Sequence, residues 1–161
     1  MLTAVAAAGC DDQSTRPSDA GADAALDDGG APLDAPQLDA PLSATCLEAT
    51  QHSDLAWIQD RIFTPSCAAF TDCHRGATPP AGLSLEAGRA RPNLVGVQSR
   101  LFPAYQRVAA GTPQNSYLLI ILGHIPGPLA PNIGTMPYNS PLLCAEKRQA
   151  IERWIAAGAP P

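Results

Sequence analysis

A long low-complexity segment near the N-terminus limits how much of this 161-residue chain can fold. Residues 11–45 consist mainly of Asp, Ala, Pro, Gly and Ser, and large apolar side chains are few. Such a composition cannot bury enough apolar surface to offset the entropy of ordering the chain. We therefore expect a disordered acidic linker over residues 11–45 and one small folded domain over residues 46–161.

The formal net charge of −5 is divided unevenly between these two parts. The linker holds eight aspartates and one arginine, whereas the domain holds nine basic and seven acidic residues. The acidic character therefore belongs to the linker and not to the domain. No cluster of basic residues indicates a nucleic-acid partner, and no apolar run has the length of a membrane span.

The first nine residues are apolar and end in small side chains before Cys10. Residues 7–10 read Ala-Ala-Gly-Cys and resemble a bacterial lipobox. Two features differ from the usual pattern. A lipobox usually has Leu where this chain has Ala7, and a basic segment usually precedes the apolar stretch, whereas this sequence has none. The resemblance implies that residues 1–10 are a signal-peptide remnant with its lipobox. Cys10 would then be lipidated and anchor the protein to a membrane of the bacterial cell envelope. The alternative is an alanine-rich terminus with an incidental cysteine.

Three segments of the domain combine a capping side chain with apolar residues at helical spacing. They cover residues 53–64, 112–122 and 140–157, with Ser53, Thr112 and Ser140 as the expected N-caps. Pro65 is expected to end the first helix and Gly158 the last. No segment shows the apolar–polar alternation of a strand, so the sequence predicts an all-α domain with long loops.

A domain of this kind has a thin core and usually needs disulfides, a metal or a cofactor to organise it. Four cysteines lie inside the domain, namely Cys46, Cys67, Cys73 and Cys144. Four free thiols are not expected in the oxidising compartment of an exported protein. The cysteines are therefore the first candidates for that organising role.

The segment from Cys67 to His74 reads Cys-Ala-Ala-Phe-Thr-Asp-Cys-His and resembles the haem-attachment motif of c-type cytochromes. Other pieces of the domain resemble the same family and follow in its order: Gly-Leu-Ser-Leu at 82–85, Gly-Thr-Pro at 111–113, Met-Pro at 136–137 and Ile-Glu-Arg-Trp-Ile at 151–155. The family's motif has two residues between its cysteines, and this chain has five. Residues 46–161 thus resemble a small exported cytochrome c domain.

This resemblance implies one haem c, attached through Cys67 and Cys73, with His74 and Met136 as the axial ligands of its iron. It also implies that the terminal helices pack together, which leaves Cys46 and Cys144 to form a disulfide. An apolar wall for the haem would come from Leu118, Leu119, Leu122, Ile151, Trp154 and Ile155. The expected function is electron transfer between redox partner proteins of the cell envelope, and not enzymatic catalysis.

Other interpretations of the same residues stay open. In a haem-free, disulfide-stapled structural or binding module, Cys67 and Cys73 would form a small-loop disulfide. His124, expected to be an exposed loop residue, is a second candidate for the sixth iron ligand. Cys67, Cys73, His74 and His124 are also a conceivable zinc site, although the two cysteines are badly spaced for it. His52 is expected at the surface.

Overall fold

The structure is a computed structural model that describes residues 42–161. The interpretations of Cys10, of the signal-peptide remnant and of the linker up to residue 41 lie outside the described residues. The described part contains the α-helices α1 (Ala44–Ala49), α2 (Leu55–Ile58), α3 (Ala90–Leu94), α4 (Tyr117–Ile121) and α5 (Ala145–Ala156). It also contains a π-helix (Gln59–Cys67) and two 3₁₀ turns (Pro80–Gly82 and Pro113–Asn115).

Helices separated by long loops make up residues 42–161, and no sheet occurs among them. The contacts of strand type there are isolated bridges that pair Val95 with Val108, Gln98 with Gln106, and Gln106 with Ser116. The prediction of helices, long loops and no strands is therefore confirmed for the described residues.

The first predicted helix begins and ends differently from the expectation. Asp54, not Ser53, is its N-cap, because the Asp54 carboxylate accepts a hydrogen bond of 2.8 Å from the N–H of Trp57. Pro65 does not end the helix, which continues as the π-helix to Cys67. Proline breaks an α-helix because its ring meets the carbonyl four residues earlier. Here the bonds reach one residue further back, as the 2.8 Å bond from Ala68 N to the carbonyl of Phe63 shows, so the helix passes through the proline.

The second predicted helix is divided in two at Ser116. A 3₁₀ turn covers Pro113–Asn115, and α4 follows from Tyr117. The buried Ser116 hydroxyl accepts a hydrogen bond of 2.9 Å from Ala109 N and donates one of 3.1 Å to the carbonyl of Thr112. These bonds fasten the start of α4 to the preceding loop, whereas the Thr112 side chain makes no cap.

The last predicted helix is present but begins later. α5 starts at Ala145 with Cys144 as its N-cap, so Ser140 and Pro141 precede it. Cys144 has an extended backbone, with φ −56° and ψ 155°, which ends the loop and turns the chain into the helix. The helix ends at Ala156, and Gly158 follows with a φ of +93°, a conformation that glycine adopts without strain.

Helix α1, which no expectation covered, packs against α5 and includes Ala44 and Thr45 from the end of the expected linker. The Ser43 hydroxyl caps it by accepting a hydrogen bond of 3.3 Å from Cys46 N. At its other end the Arg153 guanidinium of α5 donates to the carbonyls of Ala49, at 2.6 Å, and of His52, at 2.8 Å. Both ends of α1 are thus held in place.

One apolar cluster, the core cluster, joins the helices. It consists of Ile58, Ile62, Phe63, Ala68, Leu85, Ala90, Leu94, Val108, Leu118, Leu119, Leu122, Ile151, Trp154, Ile155 and Ala159. The six residues expected to form an apolar wall all belong to it. The core therefore lies between the π-helix, α4 and α5.

Candidate functional site

The π-helix ends at Cys67, and the side chain of Cys67 packs against the core cluster. π-helices are rare and occur frequently at functional sites. Cys67 is a free thiol, and its burial raises the pKa of that thiol to about 12. The sulfur is therefore protonated at neutral pH and lies at the edge of an apolar environment.

The loop from Cys67 to His74 is closed by a hydrogen bond of the backbone. The N–H of His74 donates to the carbonyl of Cys67 at 2.9 Å, and inside the loop Cys73 N donates to the carbonyl of Phe70 at 3.0 Å. The additional residues between the cysteines form an outward bulge, in which the Phe70 side chain is 50% exposed. The longer spacing therefore still places His74 beside Cys67.

The imidazole of His74 is oriented by a backbone carbonyl. Its Nδ1 lies 3.1 Å from the carbonyl oxygen of Leu83. Because a carbonyl only accepts hydrogen bonds, Nδ1 carries the proton, and in the neutral ring Nε2 then has the lone pair. The pKa of His74 is lowered, mainly by burial and further by the charge of Arg107. Hydrogen bonds to the carbonyls of Leu83 and Pro80 raise the pKa and partly offset this effect. His74 is thus a neutral imidazole with a defined tautomer.

Cys73 is buried and disulfide-bonded in this structure. Since Cys67 is a free thiol, the small-loop disulfide between Cys67 and Cys73 is not formed, and that expectation is wrong. A sulfur in a disulfide cannot at the same time form a thioether. Attachment of a haem through Cys73 therefore requires reduction of this disulfide first.

Met136 belongs to the loop between α4 and α5 and packs, partly buried, against the core cluster. Its N–H donates to the carbonyl of Ile121 at 2.7 Å, which fastens the loop to the end of α4. Cys67 and Leu83 border the same core cluster. Cys67, Leu83 and Met136 thus each pack against the core cluster.

His124 differs from the expectation of an exposed residue. Its side chain is 14% exposed, and Nε2 pairs with a carboxylate oxygen of Glu152 in α5 at 2.8 Å. The contact with Glu152 therefore leaves only Nδ1 as a nitrogen with which His124 could bind iron or zinc. His52 does lie at the surface, where its ring stacks on Trp57 with 4.8 Å between the ring centroids.

Arg107 is a residue of this region for which the sequence predicted no role. It is 8% exposed and donates hydrogen bonds of 2.8 Å to the carbonyls of Ala81 and Asn93. Burial, followed by the nearby charge of Arg100, lowers its pKa. Among residues 42–161 it has no acidic partner. Arg107 thus holds the turn that precedes Leu83, and no local sequence signal indicated this role because its acceptors lie in other segments.

Cys46 and Cys144 are joined by a disulfide, with their Cα atoms 6.3 Å apart. The bond connects α1 to the N-cap of α5, which is the pairing expected for the two cysteines outside the haem motif. It lies at the junction of the terminal helices, and neither cysteine belongs to the core cluster.

The donor groups fit a covalent haem in kind. They comprise a neutral oriented imidazole, a partly buried thioether and a partly buried thiol, which are ligands and anchors of c-type haem. A cleft of about 460 Å³ elsewhere on the domain, lined by residues that include Asp54, Gln59, Arg91 and Pro161, contains none of these groups. These residues thus offer the donor types that haem c requires. Cys73 could serve as an attachment residue only in its reduced, thiol form.

Among the described residues, no helix has both the length and the apolar character that crossing a membrane requires. In comparisons with known proteins, no family model, no curated protein and no solved structure matches this chain.

Proposed function

We propose that this protein is a lipid-anchored monohaem c-type cytochrome that transfers electrons in the bacterial cell envelope. The observation that carries the proposal is the geometry of His74. The backbone N–H of His74 donates a hydrogen bond to the carbonyl of Cys67, and its Nδ1–H donates one to the carbonyl of Leu83. This arrangement leaves Nε2 as the ligand atom, and the backbone hydrogen bond keeps His74 next to Cys67, whose partly buried thiol is free.

Covalent attachment of haem through the loop from Cys67 to His74 would need no oxidant. Attachment would form a sulfur–carbon bond between a cysteine thiol and a haem vinyl group, and the thiol proton would pass to the neighbouring vinyl carbon. Cys67 is already a thiol, whereas the Cys73 disulfide must first accept two electrons and two protons from a thiol reductant. The chain therefore supports attachment through Cys67 first and through Cys73 after reduction.

Met136 is the proposed second axial ligand. Haem with histidine and methionine ligands supplies a one-electron couple of raised potential and has no open site for oxygen. The backbone bond from Met136 to Ile121 fixes the loop that carries the thioether. His124, the other candidate, has its Nε2 hydrogen-bonded to Glu152 and only Nδ1 left for a ligand role. This ligand pair supports an electron carrier whose partners are redox proteins of the envelope.

The second candidate function is a haem-free structural or binding module. The disulfide between Cys46 and Cys144 favours it, because it supplies covalent organisation of the kind that a small domain needs. In this case Cys67 is a partly buried structural thiol, and His74 is a neutral residue that ties the loop to Leu83. The two candidates differ in whether the purified protein contains haem.

Expression together with a bacterial haem-attachment system tests the proposal. We expect the purified chain to show the pyridine haemochrome spectrum of haem c with one haem per chain. His74→Ala should remove most of the haem, since the ring that positions the iron is lost. Met136→Ala should retain the haem, lower the reduction potential and allow cyanide or imidazole to bind at the sixth position. His52→Ala is the matched control, because that histidine is at the surface.

The spectrum distinguishes the two candidates directly. A haem c spectrum with two thioethers, retained in His52→Ala and lost in His74→Ala, supports the cytochrome. A colourless folded protein with Cys73 still disulfide-bonded establishes the haem-free module. Haem binding that depends on His124 instead of Met136 would overturn the ligand assignment.

Lipidation of Cys10 is a separate expectation from the Ala-Ala-Gly-Cys sequence, and it concerns residues outside the described part. The protein should partition with membranes after expression in a bacterium, and mass spectrometry should find diacylglycerol on Cys10 as the first residue. Cys10→Ala should release the protein into the soluble fraction with an unprocessed N-terminus. A soluble wild-type protein that begins at Met1 would contradict the anchor.

A further inference from the structure

A second group of potential ligands lies at the junction of α1 and α5, away from the candidate haem site. The sulfurs of Cys46 and Cys144 and a carboxylate oxygen of Glu146 all lie within 4.8 Å of one another. Cys46 is in α1, Cys144 is the N-cap of α5, and Glu146 is in the first turn of α5. In the oxidised protein the two sulfurs are bonded to each other and are poor metal ligands.

The Glu146 carboxylate has an unusual environment. Glu146 is partly buried, and its Oε2 atom is fully buried without a hydrogen-bond partner among residues 42–161. A buried polar atom without a partner is costly, and more so when it carries a charge. A cation bound at this position would offset that cost. The carboxylate is therefore an independent indication of a ligand beside the sulfurs.

The positions of the two cysteines do not depend on their disulfide alone. Arg153 binds α1 to α5 through the carbonyls of Ala49 and His52, and the side chain of Ala49 is fully buried. Reduction therefore leaves both thiols at the same helix junction. From bonding distance the sulfurs need only separate to about 3.8 Å, the spacing of two tetrahedral ligands at Zn–S distances of about 2.3 Å.

We propose that reduction of the Cys46–Cys144 disulfide converts this junction into a binding site for a borderline-soft divalent cation, with Zn²⁺ as the preferred ion. The ligands are the two thiolates and the Glu146 carboxylate, and a water completes the tetrahedron. Two sulfurs select zinc over magnesium or calcium, which require oxygen ligands. The site is independent of the proposed haem, because Cys67, Cys73, His74 and Met136 take no part in it.

Reduction of the disulfide and binding of Zn²⁺ both exchange protons, and the reduction also exchanges electrons. A thiol reductant supplies two electrons and two protons to the disulfide and becomes oxidised itself, which gives the thiols of Cys46 and Cys144. Zn²⁺ then displaces the two thiol protons, so binding releases two protons at a pH below the thiol pKa values. A disulfide oxidant that accepts two electrons and two protons, and becomes two thiols, then restores the Cys46–Cys144 disulfide and releases the metal.

Calorimetric titration of the full-length chain with Zn²⁺ tests the proposal, in the presence and the absence of a phosphine reductant. We expect one Zn²⁺ per reduced chain at this site and none for the oxidised chain. Buffers of different ionisation enthalpy should report the released protons. Glu146→Gln should weaken binding at least about tenfold, since even outer-shell changes cost that much. Glu48→Gln, an exposed carboxylate of α1, is the matched control and should change nothing.

Two further variants distinguish this site from the free thiol of Cys67. Cys67→Ser should leave the binding intact, whereas Cys46→Ser should abolish it. Equal affinity in the wild type and in Glu146→Gln, or loss of binding in Cys67→Ser, would overturn the proposal. So would a loss of the helical circular dichroism on reduction, because the site requires that α1 stays against α5.

Discussion

Replacing Trp154 by alanine is expected to lower the free energy of unfolding by about 3–5 kcal/mol, the range for large aromatic residues in a core. The side chain of Trp154 is fully buried in the core cluster, and its Nε1–H donates to the carbonyl of Pro160 at 2.9 Å. The substitution removes the indole, leaves a cavity and leaves that carbonyl without its donor. Urea unfolding followed by circular dichroism measures the loss.

Two further variants separate the causes of this effect. Trp154→Phe keeps most of the apolar volume and removes the hydrogen bond, so it should cost less than the alanine variant. Leu47→Ala is a control at a side chain that is 54% exposed and should change the unfolding free energy by less than about 0.5 kcal/mol. A loss below about 1 kcal/mol for Trp154→Ala would show that the core does not depend on α5 as described.

The parts of the fold that the sequence predicted are those where local pattern and burial agree. The apolar stripe of α5 predicted that Ile151, Trp154 and Ile155 face the core, and all three are fully buried. Gly158 predicted the end of the helix because few other residues adopt a positive φ readily. In both cases the signal lies within a few residues of the structure it determines.

The differences arise where distant contacts decide the structure. Pro65 predicted a helix end, but the turns around it follow the π-helical pattern, which a sequence pattern based on α-helical spacing does not represent. Ser140 and Pro141 are a plausible helix start, yet α5 begins after Cys144, where the chain is tied to α1. The bonds of Arg153 to α1 join residues about a hundred positions apart and leave no local signal.

The candidate site shows the same division. Its ligand types and their order along the chain were visible in the sequence, because the Cys-His pair and Met136 are local motifs. The orientation of His74 by Leu83, the free state of Cys67 and the pairing of His124 with Glu152 depend on the folded loops. Arg107 was missed for the same reason, since its acceptors at Ala81 and Asn93 come from two other segments.

Removing the disulfide between Cys46 and Cys144 is expected to lower the free energy of unfolding by about 4–5 kcal/mol. The bond joins residues 98 positions apart, and in the chain-entropy model a loop of that length restricts the unfolded chain by about this amount. The native helix junction should change little, because Arg153 still binds the carbonyls at the end of α1. The double variant Cys46→Ala/Cys144→Ala, compared with the wild type in urea, measures the loss.

The assignment of the effect to this one bond rests on two comparisons. Chemical reduction should destabilise the wild type by more than it destabilises the double variant, which has already lost the longest loop. Arg153→Met in the wild-type background should cost less, about 1–3 kcal/mol, since it leaves the carbonyls of α1 without their donor while the covalent link remains. Combining Arg153→Met with the double variant should then cost more than the sum of the two losses, because α1 has lost both of its links to α5. Non-reducing peptide mapping that joins Cys144 to any cysteine other than Cys46 would contradict the whole arrangement.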